Sequence, residues 1–189
     1  MMPIILQNWV AADLEDLESN KYFYHELKRD KYKKLIYKID DYVSMYKSSG
    51  MFYCLDDKLQ KITYRMTYKT DKNKQLNQYA WQSTVWSMGG LEYLDGLPAK
   101  MLFDFLLPIC KVVVMDSAQS FDGKRFWLNC IRKAFDKKLN VYYFDVGNKE
   151  LIKMEDFNFW LKFSDTKDIW GITNAHSMKR MLITPKELL

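Results

Sequence analysis

One stretch of the chain constrains the fold more than any other, because a strand, a loop, a helix and a second strand follow one another within residues 111–146. Residues 111–115 form a short continuous apolar run, which is typical of a strand buried on both faces. Residues 141–146 form a second such run. Between them, residues 123–138 predict a helix with the apolar face Trp127, Cys130, Ile131 and Ala134. Strand, helix and strand this close together predict a right-handed parallel crossover.

The first half of the chain predicts helices followed by strands. Apolar residues recur at spacings of three, four, seven and eight over residues 11–46, which predicts an N-terminal helical pair. Residues 51–55 and 61–69 predict a hairpin, and the second of these strands alternates between an apolar face and a wet, basic face. A polar loop over residues 71–78 and a third strand over 79–87 follow.

The remaining segments predict shorter elements. A helix is expected over residues 98–107, with Pro98 in its first turn and Pro108 ending it. Another helix is expected over residues 149–163. Short strands are expected at 169–171 and 181–183. Together these elements predict an α/β or mixed α+β fold.

Bulk composition predicts one soluble domain over residues 1–189. Hydrophobic residues make up 48% and charged residues 28% of the chain, as in ordinary globular proteins. The sequence contains no repeat, low-complexity block or linker. The first eight residues have no basic region and too short an apolar stretch to predict a signal peptide. The sequence also has no apolar run of roughly eighteen residues, which a membrane helix needs. These observations predict a cytoplasmic protein with no membrane partner.

The cysteines and histidines argue against a disulfide framework and a metal site. The three cysteines lie far apart inside apolar runs, and the two histidines are His25 and His176. A zinc site needs clustered Cys or His ligands. No metal is therefore expected.

The loop between the buried strand and the helix is a candidate anion site. Backbone N–H groups at a helix N-terminus are unpaired and carry partial positive charge, so they bind phosphate readily. Gly123 permits a close backbone approach, and Lys124 and Arg125 could reach an anion. Alternatively, Asp122 or Ser120 is simply the N-cap of the helix.

The predicted order of elements resembles that of the GNAT acetyltransferase family. This order is helices, hairpin, third strand, buried strand, basic loop, amphipathic helix, strand and helix. In that family the loop before the central helix carries an Arg/Gln-x-x-Gly-x-Gly/Ala pattern that holds the pyrophosphate of acetyl-CoA. Gln119 and Gly123 match this pattern loosely, and Asp122 adds a negative charge. The resemblance implies a central mixed sheet flanked by helices. It also implies an acetyl-CoA or other acyl-CoA site built from Val114, Gln119, Ser120, Gly123, Lys124 and Arg125.

The same resemblance implies acyl transfer from a CoA thioester to an amine of a small molecule, a protein or a modified nucleic acid. A general base removes a proton from the amine, and an acid protonates the leaving thiolate. The candidate bases are Asp116 and Asp145. The candidate acids are Tyr142 and Tyr143, although the family's own tyrosine would lie in the following helix. That helix carries instead Phe157, Phe159 and Trp160.

A non-catalytic binding protein is the alternative function. Residues 21–38 and 58–74 are rich in Lys and Arg, and the first patch is interleaved with tyrosines, which suits an acidic partner such as nucleic acid. Lys61, Arg65 and Lys69 would form a stripe along one strand face, unless that face is merely solvated. The net charge of +5 allows such a partner without requiring one. Abundant Lys, Asn and Tyr resemble an AT-rich phage gene product, so a phage protein acting on its host fits this alternative.

Overall fold

The computed structural model describes residues 11–48, 50–73, 76–115, 121–167, 169–170 and 178–188. The fold is mixed α/β, with helices flanking a mixed sheet. The chain divides into two compact units. The first unit comprises the described parts of Met1–Tyr68 and Ser83–Pro98, and the second those of Lys69–Gln82 and Ala99–Leu189.

The first unit joins two helices to an antiparallel sheet. Its elements are α1 (Ala11–Glu15), α2 (Leu17–Arg29), β1 (Lys34–Lys38), β2 (Val43–Ser48), β3 (Met51–Asp56) and the first part of β4 (Lys61–Asn73). The strands β1, β2, β3 and β4 pair in sequence order, each antiparallel to the next. Asp16 caps α2 by accepting a hydrogen bond from the Ser19 backbone N–H at 2.8 Å.

One core cluster of the first unit lies between its helices and one face of its sheet. Its buried apolar residues are Leu14, Tyr24 and Leu27 from the helices and Met51, Tyr53, Leu55 and Ile62 from the strands. Alternate strand residues such as Phe52 and Cys54 are buried as well. Asn20 is also buried here, and its side-chain amide donates to the Leu14 carbonyl at 2.8 Å and the Ile62 carbonyl at 3.0 Å. Its carbonyl oxygen accepts from the Ile62 N–H at 2.8 Å. One side chain therefore ties α1, α2 and β4 together.

The predicted helix over residues 11–46 is wrong beyond Arg29. Asp30 ends α2 with an extended backbone, and its carboxylate accepts hydrogen bonds from the Tyr32 N–H and the Ser48 hydroxyl. The following residues form the β1–β2 hairpin instead. The apolar stretch around Leu35 and Tyr37 is short, and in so short a stretch the spacing of apolar residues does not distinguish a helix from a strand.

The second unit contains a mixed sheet, which includes the end of β4 from Lys69 onward. The further strands of its described residues are β5 (Asn77–Ser87, of which residues from Ser83 belong to the first unit), β6 (Val113–Val114), β7 (Asn140–Asp145), β8 (Glu150–Lys153) and β9 (Lys179–Thr184). They follow the order β5, β6, β9, β7, β8. The pair β5–β6 is parallel, and the other pairs are antiparallel.

The predicted crossover from 111–115 to 141–146 is confirmed in direction but not in adjacency. Both β6 and β7 are antiparallel to β9, so they run the same way. However, β9 lies between them. The helix α5 (Phe121–Asp136) connects them, close to the predicted 123–138.

Helices cover one face of the second unit's strands. The side chains of Trp127 and Ile131 on α5 are buried, as is Trp160 on α6 (Phe157–Lys167), whose indole N–H donates to the Met181 sulfur at 3.3 Å. The opposite face carries a second core cluster of Leu76, Tyr79, Val112, Val114, Tyr142, Phe144 and Leu182. The candidate site lies on this second face.

Helical structure continues past the predicted stop at Pro108. Helix α3 (Leu97–Lys100) leads into a π turn over Met101–Leu106 and then into α4 (Leu107–Cys110). Pro108 directly follows the start of α4 after the π turn, where the regular α-helical hydrogen-bond pattern is already interrupted.

Two other segments differ from expectation. The predicted loop over 71–78 is shorter, since β4 extends to Asn73 and β5 begins at Asn77. The predicted helix over 149–163 begins only at Phe157, because residues 150–153 pair with β7. Asp145 holds the tight turn between these strands by accepting from the Asn148 N–H at 3.0 Å. In the predicted strand at 169–171, Ile169 and Trp170 are not in a strand, and Gly171 lies outside the described residues.

Candidate functional site

A small, mostly apolar cavity lies on the second face of the second unit. Its volume is about 90 Å³. It is lined by residues from four strands and their ends: Leu76, Tyr79, Trp81, Val114, Phe144, Val146 and Arg180. At about 30 Å³ for each water-sized group, the cavity has room for roughly three non-hydrogen atoms.

Strand register brings these side chains to one face. Trp81 pairs with Val114 across the parallel strands β5 and β6, and Phe144 pairs with Arg180 across β7 and β9. Residues two apart on a strand share a face, so Tyr79 lies beside Trp81. Val114 is the last residue of β6. The cavity is therefore at the carboxyl end of a parallel strand, where α/β sheets commonly bind ligands.

Arg180 supplies a buried positive charge to this cavity. Its side chain is largely buried, with 8% of the residue exposed. The guanidinium carbon lies 4.0 Å from the centroid of the Trp81 ring, which is a close cation–π contact. Its Nη1 donates to the Met115 carbonyl at 3.3 Å. These contacts fix the cation where the chain leaves β6.

Tyr79 brings a hydroxyl to the same cavity. This hydroxyl donates to the Asp71 carboxylate at 3.2 Å. Burial, together with the charge and hydrogen bond of Asp71, raises the pKa of Tyr79, although Trp81 and Arg180 act in the opposite direction. Tyr79 therefore keeps its proton at neutral pH and, in this structure, donates it in the hydrogen bond to Asp71.

The arrangement suits a small group that carries a carbonyl. The apolar walls accept a short aliphatic fragment, and a buried cation stabilises negative charge that develops on an oxygen in a site of low dielectric. A protonated phenol nearby can serve as a general acid.

Among the predicted site residues that the structure describes, Val114 alone lines this cavity. Tyr143 and Asp145 belong to the same strand as Phe144 but point to the helix-covered face, where the Tyr143 ring contacts Phe163 with centroids 5.1 Å apart. The Tyr143 hydroxyl donates to Asp145 at 3.4 Å. Burial and the neighbouring Asp145 raise the pKa of Tyr143 to about 12.

Asp145 is held by the β7–β8 turn. Burial alone would raise the pKa of its carboxyl, but hydrogen bonds from Asn148, Gly147 and Tyr143 lower it below the ordinary value. Such a carboxylate is a weak base at neutral pH, and its oxygens already accept from Asn148. Its position suits turn formation better than proton abstraction.

The predicted anion site is only partly within the described residues. Asp116, Gln119 and Ser120 lie outside them. The helix was expected to begin at Gly123, but α5 begins two residues earlier at Phe121, so this glycine lies in the first turn of the helix. Lys124 and Arg125 follow it. The Lys124 ammonium lies 5.6 Å from the Trp170 ring centroid, and the Arg125 guanidinium lies 6.0 Å from that of Phe121.

The predicted basic stripe on β4 is wrong at its centre. Arg65 is only 8% exposed, and Thr63 beside it is fully buried. Burial lowers the pKa of Arg65, and the charge of Asp13 opposes this shift. Lys61 is half-buried, and Lys69 is exposed. The three cations therefore do not form a continuous solvated row.

Sequence reasoning missed the polar and aromatic residues that give the site its chemistry. Asp71 fell in a predicted loop, Tyr79 and Trp81 in a strand with no assigned role, and Arg180 just before a short predicted strand. The two-residue spacing of Tyr79 and Trp81 indicated a shared face. No local signal placed Arg180 beside them, since that contact depends on β9 lying next to β6.

Comparison with known proteins gives no relative, because the sequence matches no family model and no curated protein. Within the described ranges, no cluster of three or more His, Cys, Asp or Glu side chains could hold a metal ion. The described helices are all too short or too polar to cross a membrane.

Proposed function

We propose that the protein transfers a short acyl group from a CoA thioester to an amine. The observation that carries this proposal is the cavity of about 90 Å³ at the end of β6, with the buried Arg180 on its wall. An acetyl group has three non-hydrogen atoms, which is roughly what this volume accommodates.

The order of elements also supports the proposal. Helices, the β3–β4 hairpin, β5, the short buried strand β6, α5 and β7 occur in an order that resembles the GNAT family. Other elements interrupt this order, because β1 and β2 lie between the helices and the hairpin and α3 and α4 lie between β5 and β6. The strand β8, between β7 and α6, is an addition to that order. The resemblance concerns architecture, and the site residues are argued from their own chemistry.

In the proposed reaction, the amine nitrogen attacks the thioester carbon. The N–C bond forms and the C–S bond breaks, and the electron pair of the C–S bond leaves with the sulfur. Arg180 stabilises the negative charge on the acyl oxygen, and Tyr79 gives its proton to the leaving thiolate. The proton that the amine loses restores the Tyr79 hydroxyl, directly or through the predicted base Asp116.

The phosphate end of the acyl donor would lie against the start of α5. There Lys124 and Arg125 offer cations, and the first turn of the helix, which includes Gly123, offers backbone N–H groups. The sequence adds Gln119 and Ser120, which precede α5, as further residues that would contact the phosphates.

Release of free thiol from acetyl-CoA in the presence of an amine mixture tests the proposal. The mixture should contain polyamines, free amino acids and a lysine-rich peptide. We expect Tyr79→Phe to lower kcat roughly 100-fold at neutral pH. The matched control Tyr42→Phe changes a tyrosine that is 58% exposed and outside the second unit, so it should keep full activity. The proposal of acyl transfer would be contradicted if no acceptor gave thiol release, or if Tyr79→Phe and the wild type reacted at equal rates.

A second candidate function, also proposed, is binding of an acidic macromolecule, in a host cell if the gene is of phage origin. It is favoured by Tyr22 and Tyr32, which are 51% and 64% exposed among the lysines of residues 21–38. Lys28 in this patch is already paired with Asp57 at 2.8 Å. The burial of Arg65 weakens the contribution of residues 58–74. Reversing the charges of Lys31 and Lys34 should abolish retention on single-stranded DNA, and unchanged retention would exclude this face.

A further inference from the structure

A second cavity lies in the same unit and shares Leu76 with the first. Its volume is about 200 Å³. The apolar side chains of Leu76, Ile109, Val112 and Leu188 line it together with Lys111 and Lys186. It combines an apolar wall with two cations, and none of its lining residues in the described part of the chain carries a carboxylate.

The two lysines are not neutralised by carboxylates of the described residues. The nearest acid in sequence to Lys186 is Glu187, which instead pairs with Lys153 at 2.6 Å. Ion pairs within the described ranges include neither Lys111 nor Lys186. The cavity therefore has a net positive lining.

Backbone contacts fix the main chain at both lysines, whose side chains are exposed. Lys111 ends α4 in the left-handed conformation, with φ of 64°, and its N–H donates to the Leu107 carbonyl at 2.8 Å. The Lys186 N–H donates to the Thr184 hydroxyl at 3.0 Å, and its carbonyl accepts from Asn140 at 3.1 Å. The two lysines that line the cavity therefore come from separate segments of the chain.

We propose that this second cavity binds a short aliphatic carboxylate. The carbon chain lies against Leu76, Val112 and Leu188, and the carboxylate lies between the ammonium groups of Lys111 and Lys186. At about 30 Å³ for each non-hydrogen atom, the volume holds roughly six or seven such atoms. This is enough for the six carbon atoms of hexanoate, with its two carboxylate oxygens at the edge of the cavity, where the exposed Lys111 and Lys186 lie. The proposal does not depend on acyl transfer at the first cavity, whose lining includes neither lysine.

Isothermal titration of the full chain with hexanoate, hexanol and inorganic phosphate tests this assignment. Hexanol keeps the chain but lacks the charge, and phosphate has the charge but no chain. We expect hexanoate to bind at least tenfold more tightly than either, because charge-assisted hydrogen bonds and apolar burial both contribute.

Three variants locate the site. Lys186→Met keeps the length of the side chain and removes its charge. Lys111→Gly removes a cation at a position where glycine is conformationally favoured, so the fold should be kept. Lys149→Gly is its matched control, because Lys149 is exposed, also has positive φ (57°) and lies outside the cavity.

The proposal predicts that hexanoate affinity falls about tenfold in Lys186→Met and Lys111→Gly and is unchanged in Lys149→Gly. Melting curves of all three variants show whether they remain folded. The proposed carboxylate site would be overturned by any of three results. These are equal binding of hexanol, unchanged hexanoate affinity in both cavity variants, or no heat from hexanoate at millimolar concentration.

Discussion

The guanidinium carbon of Arg180 lies 4.0 Å from the centroid of the Trp81 indole ring. The two residues belong to β9 and β5, which flank the short strand β6 on either side. Their contact places a positive charge on the wall of the cavity that Val114 and Tyr79 also line. The proposed chemistry depends on this charge.

Replacing Arg180 by Lys tests whether that geometry matters. A lysine keeps the charge but lacks the planar group that stacks on an indole and donates along fixed directions. We expect Arg180→Lys to weaken acetyl-CoA binding about tenfold by isothermal titration. Arg132→Lys is the matched control, because Arg132 is exposed and lies over Phe157 at 4.8 Å. Equal losses in the two variants would argue against a specific role for Arg180.

Asn20 is expected to be critical for the stability of the first unit. Asn20→Leu keeps approximately the side-chain volume but leaves the buried N–H and C=O of Ile62 without their side-chain partner. The expected loss is about 3 kcal/mol in the free energy of unfolding. Urea denaturation followed by circular dichroism measures it. The exposed neighbour Lys21→Ala should change stability by less than about 0.5 kcal/mol; a loss as small in Asn20→Leu would contradict this account.

Asp145 should make stability depend on pH in the acid range. Its pKa is lowered in the folded state by hydrogen bonds from Asn148, Gly147 and Tyr143, which outweigh the effect of burial. Its stabilising contribution is therefore complete above the unfolded pKa of about 3.9 and is lost as the pH falls through the lower folded value.

Replacing this carboxylate by an amide should remove that pH dependence. Asp145→Asn is expected to be less stable than wild type at pH 7, and the difference should shrink below about pH 4. Melting temperatures from pH 2 to pH 7 test the prediction, with the exposed Asp165→Asn as the control. A difference that stays constant over this range would show that Asp145 acts through packing alone.

Arg65 and Lys69 should respond differently to charge reversal. Arg65 is buried near the charge of Asp13, so Arg65→Glu places a carboxylate where solvent is excluded and a like charge is close. We expect a loss of about 3 kcal/mol or more. Lys69 is exposed, and Lys69→Glu should be nearly neutral. The melting temperatures of the two variants test this difference. Equal melting temperatures would contradict the burial of Arg65 and support the predicted solvated basic face.

The elements with strong periodic patterns could be predicted from sequence. The strands β3, β5 and β7 and the helix α5 fall within a few residues of expectation, because their apolar spacing extends over most of each element. The strands β1 and β8 and most of β2 were mistaken for helix. All three are short and continue apolar patterns that also fit helical spacing, and the turns that end the neighbouring elements depend on Asp30 and Asp145.

Fewer residues of the candidate site than elements of the fold could be predicted from the sequence. Val114 was identified from the strand–loop–helix unit and lies in the cavity. Arg180 and Trp81 are distant in sequence, and they meet only because β9 inserts between β6 and β7. The burial of Arg65 likewise depends on helices packing over β4, which its strand alternation does not reveal.

The most direct test is a thermal-shift titration of the wild-type protein with acetyl-CoA and CoA, using ATP and NAD as controls. A ligand that binds only the folded state raises the melting temperature by mass action. The proposed function predicts a rise with acetyl-CoA and CoA that is greatly reduced in Arg180→Lys. No rise at millimolar acetyl-CoA, or an equal rise with ATP and NAD, would contradict it.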